Sequence, residues 1–207
     1  MFLCNQERRQ KYIEEGDSLK VELENAPSMG RQFISHQWLL DSIEKRMIYD
    51  HVYGDLLKSS GKNILDVGGG FCSLSCELAK KHEYSVLDIM AHDDTAALEL
   101  LNTEHQRDVW IGTDWCDFQI EKKYDIIIAN DLFPNVDQRL EMFLDKYLPY
   151  CNEMRLSLTY YNNDRVYKVK RVGADEIFHM VAWDNVRLLR SLEKYKNLIE
   201  GYNTKVL

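Results

Sequence analysis

The chain has 207 residues, 26 of them Lys or Arg and 34 Asp or Glu, for a formal net charge of −8. That balance argues against a broad phosphate-binding surface, so nucleic acid is not an expected partner; Lys168, Lys170 and Arg171 are the basic cluster that stands out, and a solvated strand face explains them equally well. An apolar content of 45% with 29% charged residues fits a soluble globular chain, long enough to bury roughly 70% of its unfolded surface as one domain.

Taken in chain order, the first residues (Met-Phe-Leu-Cys-Asn-Gln-Glu-Arg-Arg) lack the long apolar region of a signal peptide. No stretch approaches the roughly 20 apolar residues needed to span a membrane, and the expected compartment is the cytoplasm. Residues 1–60 read as a helical preface. A polar helix is predicted over Asn5–Glu15, and Glu24–Gly30 reads as a turn because proline and glycine interrupt regular pairing. Phe33, Trp38, Leu39, Ile43, Met47, Val52 and Leu56 then recur near helical spacing. That helix is predicted to break near Tyr49 and to end at Ser59-Ser60-Gly61.

From Lys62 strands and helices alternate. Strands are predicted at Asn63–Val67, Tyr84–Ile89, Asp108–Ile111, Tyr124–Asn130 and Met154–Tyr160. Helices are predicted at Ser73–Lys81, from Thr95 to Asn102 with Asp93 or Asp94 as N-cap, and at Val136–Leu148. The run Ile126-Ile127-Ile128-Ala129 has no polar alternation, as expected of a strand buried on both faces. The pattern specifies an α/β fold with a Rossmann-like, doubly wound, mostly parallel sheet. Arg165–Val172 and Glu176–Trp183, separated by Gly173-Ala174-Asp175, read as a hairpin; Asp184 then caps a helix that runs to about Glu200 and stops at Gly201. The whole is expected to be one domain, with residues 1–60 as a lid, 62–160 as a ligand-binding core and 161–207 as hairpin and helix. Five cysteines without a Cys-x-x-Cys pair are expected to be inert reduced thiols.

In an open parallel sheet, ligands bind beyond the carboxyl ends of the strands. Four loops bring suitable chemistry there. Asp66-Val67-Gly68-Gly69-Gly70 follows strand one, where glycine permits a sharp turn and close approach, and the carboxylate disfavours a phosphate while favouring a neutral or cationic nucleoside. Asp88, 22 residues after Asp66, is placed to accept ribose hydroxyls. In Gly112-Thr113-Asp114-Trp115, Asp114 can accept from an adenine amino group and Trp115 offers an aromatic surface or its backbone N–H. Asn130–Asn135 follows strand four.

Those segments, in this order, resemble motifs I to IV of the class I S-adenosylmethionine-dependent methyltransferases, over about residues 62–160. The glycine motif of that family has a third glycine where Cys72 stands here. The resemblance implies S-adenosylmethionine as cofactor and S-adenosylhomocysteine as product. It implies that Asp66 and Gly68, Gly69 and Gly70 hold the methionine part, that Asp88 holds the ribose beside Ile89, and that Asp114 and Trp115 lie at the adenine edge. Asn130 matches the first residue of the motif IV loop. It also implies a helix between strand five and a closing hairpin, whereas here the candidate hairpin comes first; the hairpin then reads as an insertion that shapes the acceptor pocket or forms an oligomer contact, as in a homodimer. Glycine at position 73 would be required for a nicotinamide dinucleotide fingerprint, and Ser73 stands there.

The expected reaction is methyl transfer to a hydroxyl or amine of a small molecule, with a sugar or sugar-phosphate of surface-polysaccharide synthesis as the first guess. A catalytically silent binding subunit of the same fold is the second reading. The candidate catalytic residues are Asp131, beside the presumed methyl site, His36 in the lid and His179 in Phe178-His179-Met180. Each has an ordinary alternative: Asp131 as a helix cap, the histidines as hydrogen-bonded core residues. His92 has no second histidine at ligand spacing, and no metal is expected. Tyr160-Tyr161-Asn162-Asn163 follows strand five and is expected to reach the same face.

Overall fold

A computed structural model describes residues 3–90, 93–170 and 177–202. Five parallel strands form the main sheet: β1 Asn63–Val67, β2 Glu83–Leu87, β3 Trp110–Ile111, β4 Tyr124–Asn130 and β5 Cys151–Ser157. Their spatial order is β3-β2-β1-β4-β5. The chain therefore winds outward from β1 in one direction and resumes at β4 in the other, which opens a crevice at the carboxyl ends of β1 and β4. β1 is in register with both neighbours, Asp66 opposite Val86 on one side and Ile128 on the other.

Period-two alternation assigns each strand residue to a layer. Ile64, Tyr84, Val86, Ile126 and Ile128 face one apolar cluster, shared with helices α5 Ile43–Leu57, α6 Ser73–Lys81 and α7 Thr95–His105. Leu65, Val67, Leu87, Ile127 and Ala129 face the other, built on α8 Leu140–Tyr147 and α9 Asn185–Glu193. Asp66 thus points to the α5 and α6 side, the one ionisable group of β1 inside an apolar layer.

The preface holds four further helices, α1 Gln6–Glu14, α2 Ser18–Glu24, α3 Ser28–Arg31 and α4 Ile34–Asp41. Two of them, α2 and α3, occupy the region read in part as a turn. The predicted break near Tyr49 lies instead at Ser42, whose extended backbone (φ −124°, ψ 116°) ends α4 and whose hydroxyl accepts from Lys45 N at the start of α5. Tyr49 stays inside α5, where its ring stacks on Tyr53 at 4.0 Å. Asp94 caps α7 by accepting from Ala96 N, while Asp93 turns away to accept from Ile34 N of α4.

Other boundaries move by a few residues. β3 is shorter than predicted, and β5 begins at Cys151 and ends at Ser157. α8 begins at Leu140 because Asp137 Oδ1 accepts from Arg139 N and holds the preceding residues as a turn. The hairpin forms as predicted, β6 Arg165–Lys170 pairing antiparallel with β7 Ile177–Ala182, but as a separate two-stranded sheet. The predicted turn at Gly173-Ala174-Asp175 lies outside the described residues, as does His92. After β7, α9 begins at its Asp184 cap and packs on α8. No helix among the described residues is long and apolar enough to cross a membrane.

Candidate functional site

The turn after β1 is compressed from three sides. Gly68 N–H donates to Leu87 O at 2.9 Å, and the chain then passes through left-handed backbone at Gly68 (φ +67°) and Gly70 (φ +64°). A Cβ on Gly68 would stand 2.8 Å from the Leu132 side chain, one on Gly69 would meet the Asp66 carboxylate, and one on Gly70 would meet the Ser35 hydroxyl. Glycine is required here for both conformation and space. Gly30 similarly brings α3 against the Ser73 backbone at the start of α6. Gly30 and Ser35 of the preface therefore lie against the glycine turn and the start of α6.

Two carboxylates flank this turn. Asp66 is 2% exposed; its Oδ2 accepts from Tyr53 at 2.9 Å and from Tyr84 at 2.6 Å, and its Oδ1 is buried without a partner. Burial raises its pKa to about 7 against the two tyrosine hydrogen bonds, and the charge of Asp88 pushes in the same direction. Asp88, just past β2, accepts from Gly70 N at 3.1 Å and from Met90 N at 2.9 Å. Ile89 beside it is 58% exposed, an apolar side chain held out at the crevice.

Beyond β3, Asp114 accepts from Cys116 N at 2.7 Å and pairs with Arg139 at 3.2 Å. Arg139 also binds Asp137 at 2.6 Å and lies 4.6 Å from the Trp115 ring centre. Trp115 is 5% exposed; its indole N–H donates to Asp137, and its ring meets Phe133, Phe143 and Tyr147 edge-on. Its ring is a core element, so the aromatic surface considered for it is taken up by other side chains.

Beyond β4, Asn130 Oδ1 accepts from Ser157 Oγ at 2.5 Å. Asp131 adopts φ +57°, and its N–H donates to Ser157 Oγ at 2.8 Å. Its side chain binds Lys45 Nζ through Oδ2 at 3.0 Å, and Thr159 Oγ1 (2.9 Å) and Asn135 Nδ2 (3.3 Å) through Oδ1. Neither candidate histidine joins this group. His36 is buried with Nδ1 2.9 Å from Ser73 Oγ, and burial together with Arg31 lowers its pKa, so it fastens α4 to α6 in its neutral form. His179 stands exposed on β7 opposite Lys168. Among the described residues no three His, Cys, Asp or Glu side chains gather as metal ligands.

No protein-family model matches this sequence, and no curated protein matches it. The chain is similar in structure to coclaurine N-methyltransferase bound to N-methylheliamine and S-adenosylhomocysteine, with a TM-score of 0.52, 14% identity and coverage of 91% of this chain and 64% of that one. The fold is that of the class I S-adenosylmethionine-dependent methyltransferases. Other solved structures with lower scores are a 1,6-didemethyltoxoflavin-N1-methyltransferase from Burkholderia thailandensis (TM-score 0.48, 12% identity, 91% of this chain and 75% of that one) and an S-adenosylmethionine-dependent methyltransferase from Clostridium acetobutylicum (TM-score 0.44, 14% identity, 72% and 85%).

On this methyltransferase fold, four groups at the crevice escaped the sequence reading. Tyr53 and Tyr84 look like ordinary core aromatics, and Lys45 like a solvated helix charge. Arg139 sits in a polar turn with no motif around it. Each matters through a partner far along the chain: 13 and 18 residues from Asp66, 86 from Asp131 and 25 from Asp114. Ser35, whose hydroxyl lies against the glycine turn, carried no local signal either, and Asp93 signalled only an alternative cap of α7, not an acceptor for Ile34 N–H.

Proposed function

We propose that this protein binds S-adenosylmethionine at the carboxyl ends of β1 and β2 and transfers its methyl group to a hydroxyl or amine of a small molecule. The observation that carries this reading is the pair of carboxylates, Asp66 and Asp88, set on either side of a turn with two left-handed glycines. A pyrophosphate would meet the charge of Asp88 and the acceptor oxygens of Asp66 there, whereas a nucleoside bearing an ammonium and a sulfonium meets a charge of opposite sign. The buried Asp66 Oδ1 without a partner fits a cationic group near the turn. In this reading Gly68, Gly69 and Gly70 approach the methionine part closely, Asp88 accepts from the ribose hydroxyls, and Ile89 lies against the adenine. Asp114, the Trp115 backbone and Asn130 complete the donor site.

The bound cofactor supplies an electrophilic methyl, so this chain's task is to hold donor and acceptor in line and keep water out. The lid helix α4, with Ser35 against Gly70 and Ile34 N–H on Asp93, covers the site. The coclaurine N-methyltransferase of similar fold, bound to N-methylheliamine and S-adenosylhomocysteine, supports the same assignment. Calorimetric titration with S-adenosylmethionine, S-adenosylhomocysteine and NAD tests it: micromolar binding of the two adenosyl ligands is expected, and failure of both to bind removes the proposal.

A further inference from the structure

Asp131 is the centre of a second polar group at the crevice, formed by three segments. Lys45 reaches it from α5, Asn135 from the loop after β4, and Thr159 from the loop after β5. Tyr161 donates to Asn135 Oδ1 at 3.2 Å and lies 3.7 Å from Met180 Sδ of β7. Its ring stands 5.9 Å from that of Tyr167, which faces Met180 across the hairpin register. The hairpin thus adds an aromatic and thioether wall beside the carboxylate. Asp131 itself is held in left-handed backbone by its own N–H bond to Ser157, and such over-determined strain is common where a side chain is aimed at a ligand.

We infer that Lys45, Asp131, Asn135, Thr159 and Tyr161 form the acceptor subsite, and that it takes an amine in its free-base form carried on an apolar or aromatic body. The inference rests on the methyl-donor reading of the neighbouring turn. A carboxylate offers about four acceptor positions. Three are used by Lys45, Thr159 and Asn135, which leaves one on Oδ2 for an incoming N–H. A hydroxyl acceptor must lose its proton to a base, whereas an amine needs only orientation of its lone pair, which a hydrogen-bonding carboxylate supplies. Lys45 has a second effect. A lone carboxylate would hold the acceptor as an ammonium, which has no lone pair; the cation 3.0 Å away offsets that charge and favours the neutral amine. The other titratable group facing Asp131 is the Tyr161 phenol, whose pKa is raised by burial and by the Asp131 charge, so it stays neutral.

In the transfer, the nitrogen lone pair forms the new N–C bond as the S–C bond breaks. Sulfur keeps that electron pair and becomes a thioether, and the methylated nitrogen then releases one proton through Asp131 to water.

The test compares 2-phenylethylamine with 2-phenylethanol, titrated into the full chain saturated with S-adenosylhomocysteine. Referred to its free-base concentration, the amine is expected to bind about ten-fold or more tightly than the alcohol. Its affinity is expected to rise with pH toward the titration of the amine. Asp131→Asn removes the preference while S-adenosylhomocysteine affinity stays within two-fold, and Lys45→Met flattens or reverses the pH dependence, which Lys45→Arg restores. Equal affinity, preference for the alcohol, or no binding of either probe to the S-adenosylhomocysteine complex overturns the inference. Failure of S-adenosylhomocysteine itself to bind overturns the donor reading instead.

Discussion

Tyr84 and Tyr53 donate to the same oxygen of Asp66, at 2.6 and 2.9 Å, beneath the glycine turn. β2 and α5 are thereby joined through the last-but-one residue of β1. The arrangement satisfies one carboxylate oxygen and leaves the other buried and unbonded. A cationic ligand at the turn would repay that deficit, which links stability to ligand binding.

The pH dependence of stability follows from the same group. Burial raises the Asp66 pKa to about 7 from the ordinary aspartate value of about 3.9, so between those two pH values the native state keeps a proton that the unfolded chain has released. Its contribution is fully present below the unfolded value and is lost as pH rises through 7, a difference on the order of 4 kcal/mol. Urea denaturation at pH 5 and pH 8 should show the ligand-free protein less stable at the higher pH. Asp66→Asn should remove most of that difference, and a variant with the same pH dependence as the parent would refute the assignment.

Asp88 holds the Gly70 amide and is the proposed ribose acceptor. Asp88→Ala should weaken S-adenosylhomocysteine binding by about ten- to hundred-fold, the worth of one or two hydrogen bonds to a charged group. Circular dichroism should show the fold retained. Unchanged affinity in a folded variant would exclude the role.

Gly70→Ala places a methyl group against the Ser35 hydroxyl in a left-handed backbone. The backbone alone costs roughly 1–2 kcal/mol, and the contact forces the lid away. Thermal unfolding should fall, and limited proteolysis within residues 28–41 should accelerate. Adding Ser35→Gly should restore lid protection but not the backbone cost; protection unaffected by Gly70→Ala would show that the lid does not rest on this turn.

Arg46 ties the preface together. Its guanidinium pairs with Asp17 at 2.8 Å and donates to Leu39 O and Leu40 O at 2.7 Å, with side-chain exposures of 6% and 15% for Arg46 and Asp17. Burial alone would raise the Asp17 pKa, but the hydrogen bonds and charge of Arg46 hold it below the ordinary value. Arg46→Met strands a buried carboxylate and two carbonyls, at a cost of about 3–5 kcal/mol in denaturant titration. A loss below about 1 kcal/mol would show the pair to be incidental.

Much of this protein was legible in the sequence because the signals were local. β1 and β4 occupy the predicted spans, since an apolar run ending at a glycine turn or a polar loop leaves little choice of register. The hairpin and the Asp184 cap were legible for the same reason. The break at Ser42 was not, because Tyr49 and its neighbours continue a helical pattern that only the Ser42 cap interrupts. The separate hairpin sheet was not legible either, because strand propensity does not say which edge a strand joins.

The glycine turn, its two carboxylates and the alternation of strands and helices along the chain belong to the sequence alone: they rest on backbone freedom and on hydrophobic period, which act between near neighbours. Tertiary structure decided what those groups face. Asp66 became a buried acid because the parity of β1 turns it toward Tyr53 and Tyr84. Trp115 became core because Phe133, Phe143 and Tyr147 converge on it. Asp131 gained Lys45 because α5 packs on β5, the strand beside β4. Each outcome depends on packing between segments distant in sequence, where the energy of a contact exists only once the fold has brought its two halves together.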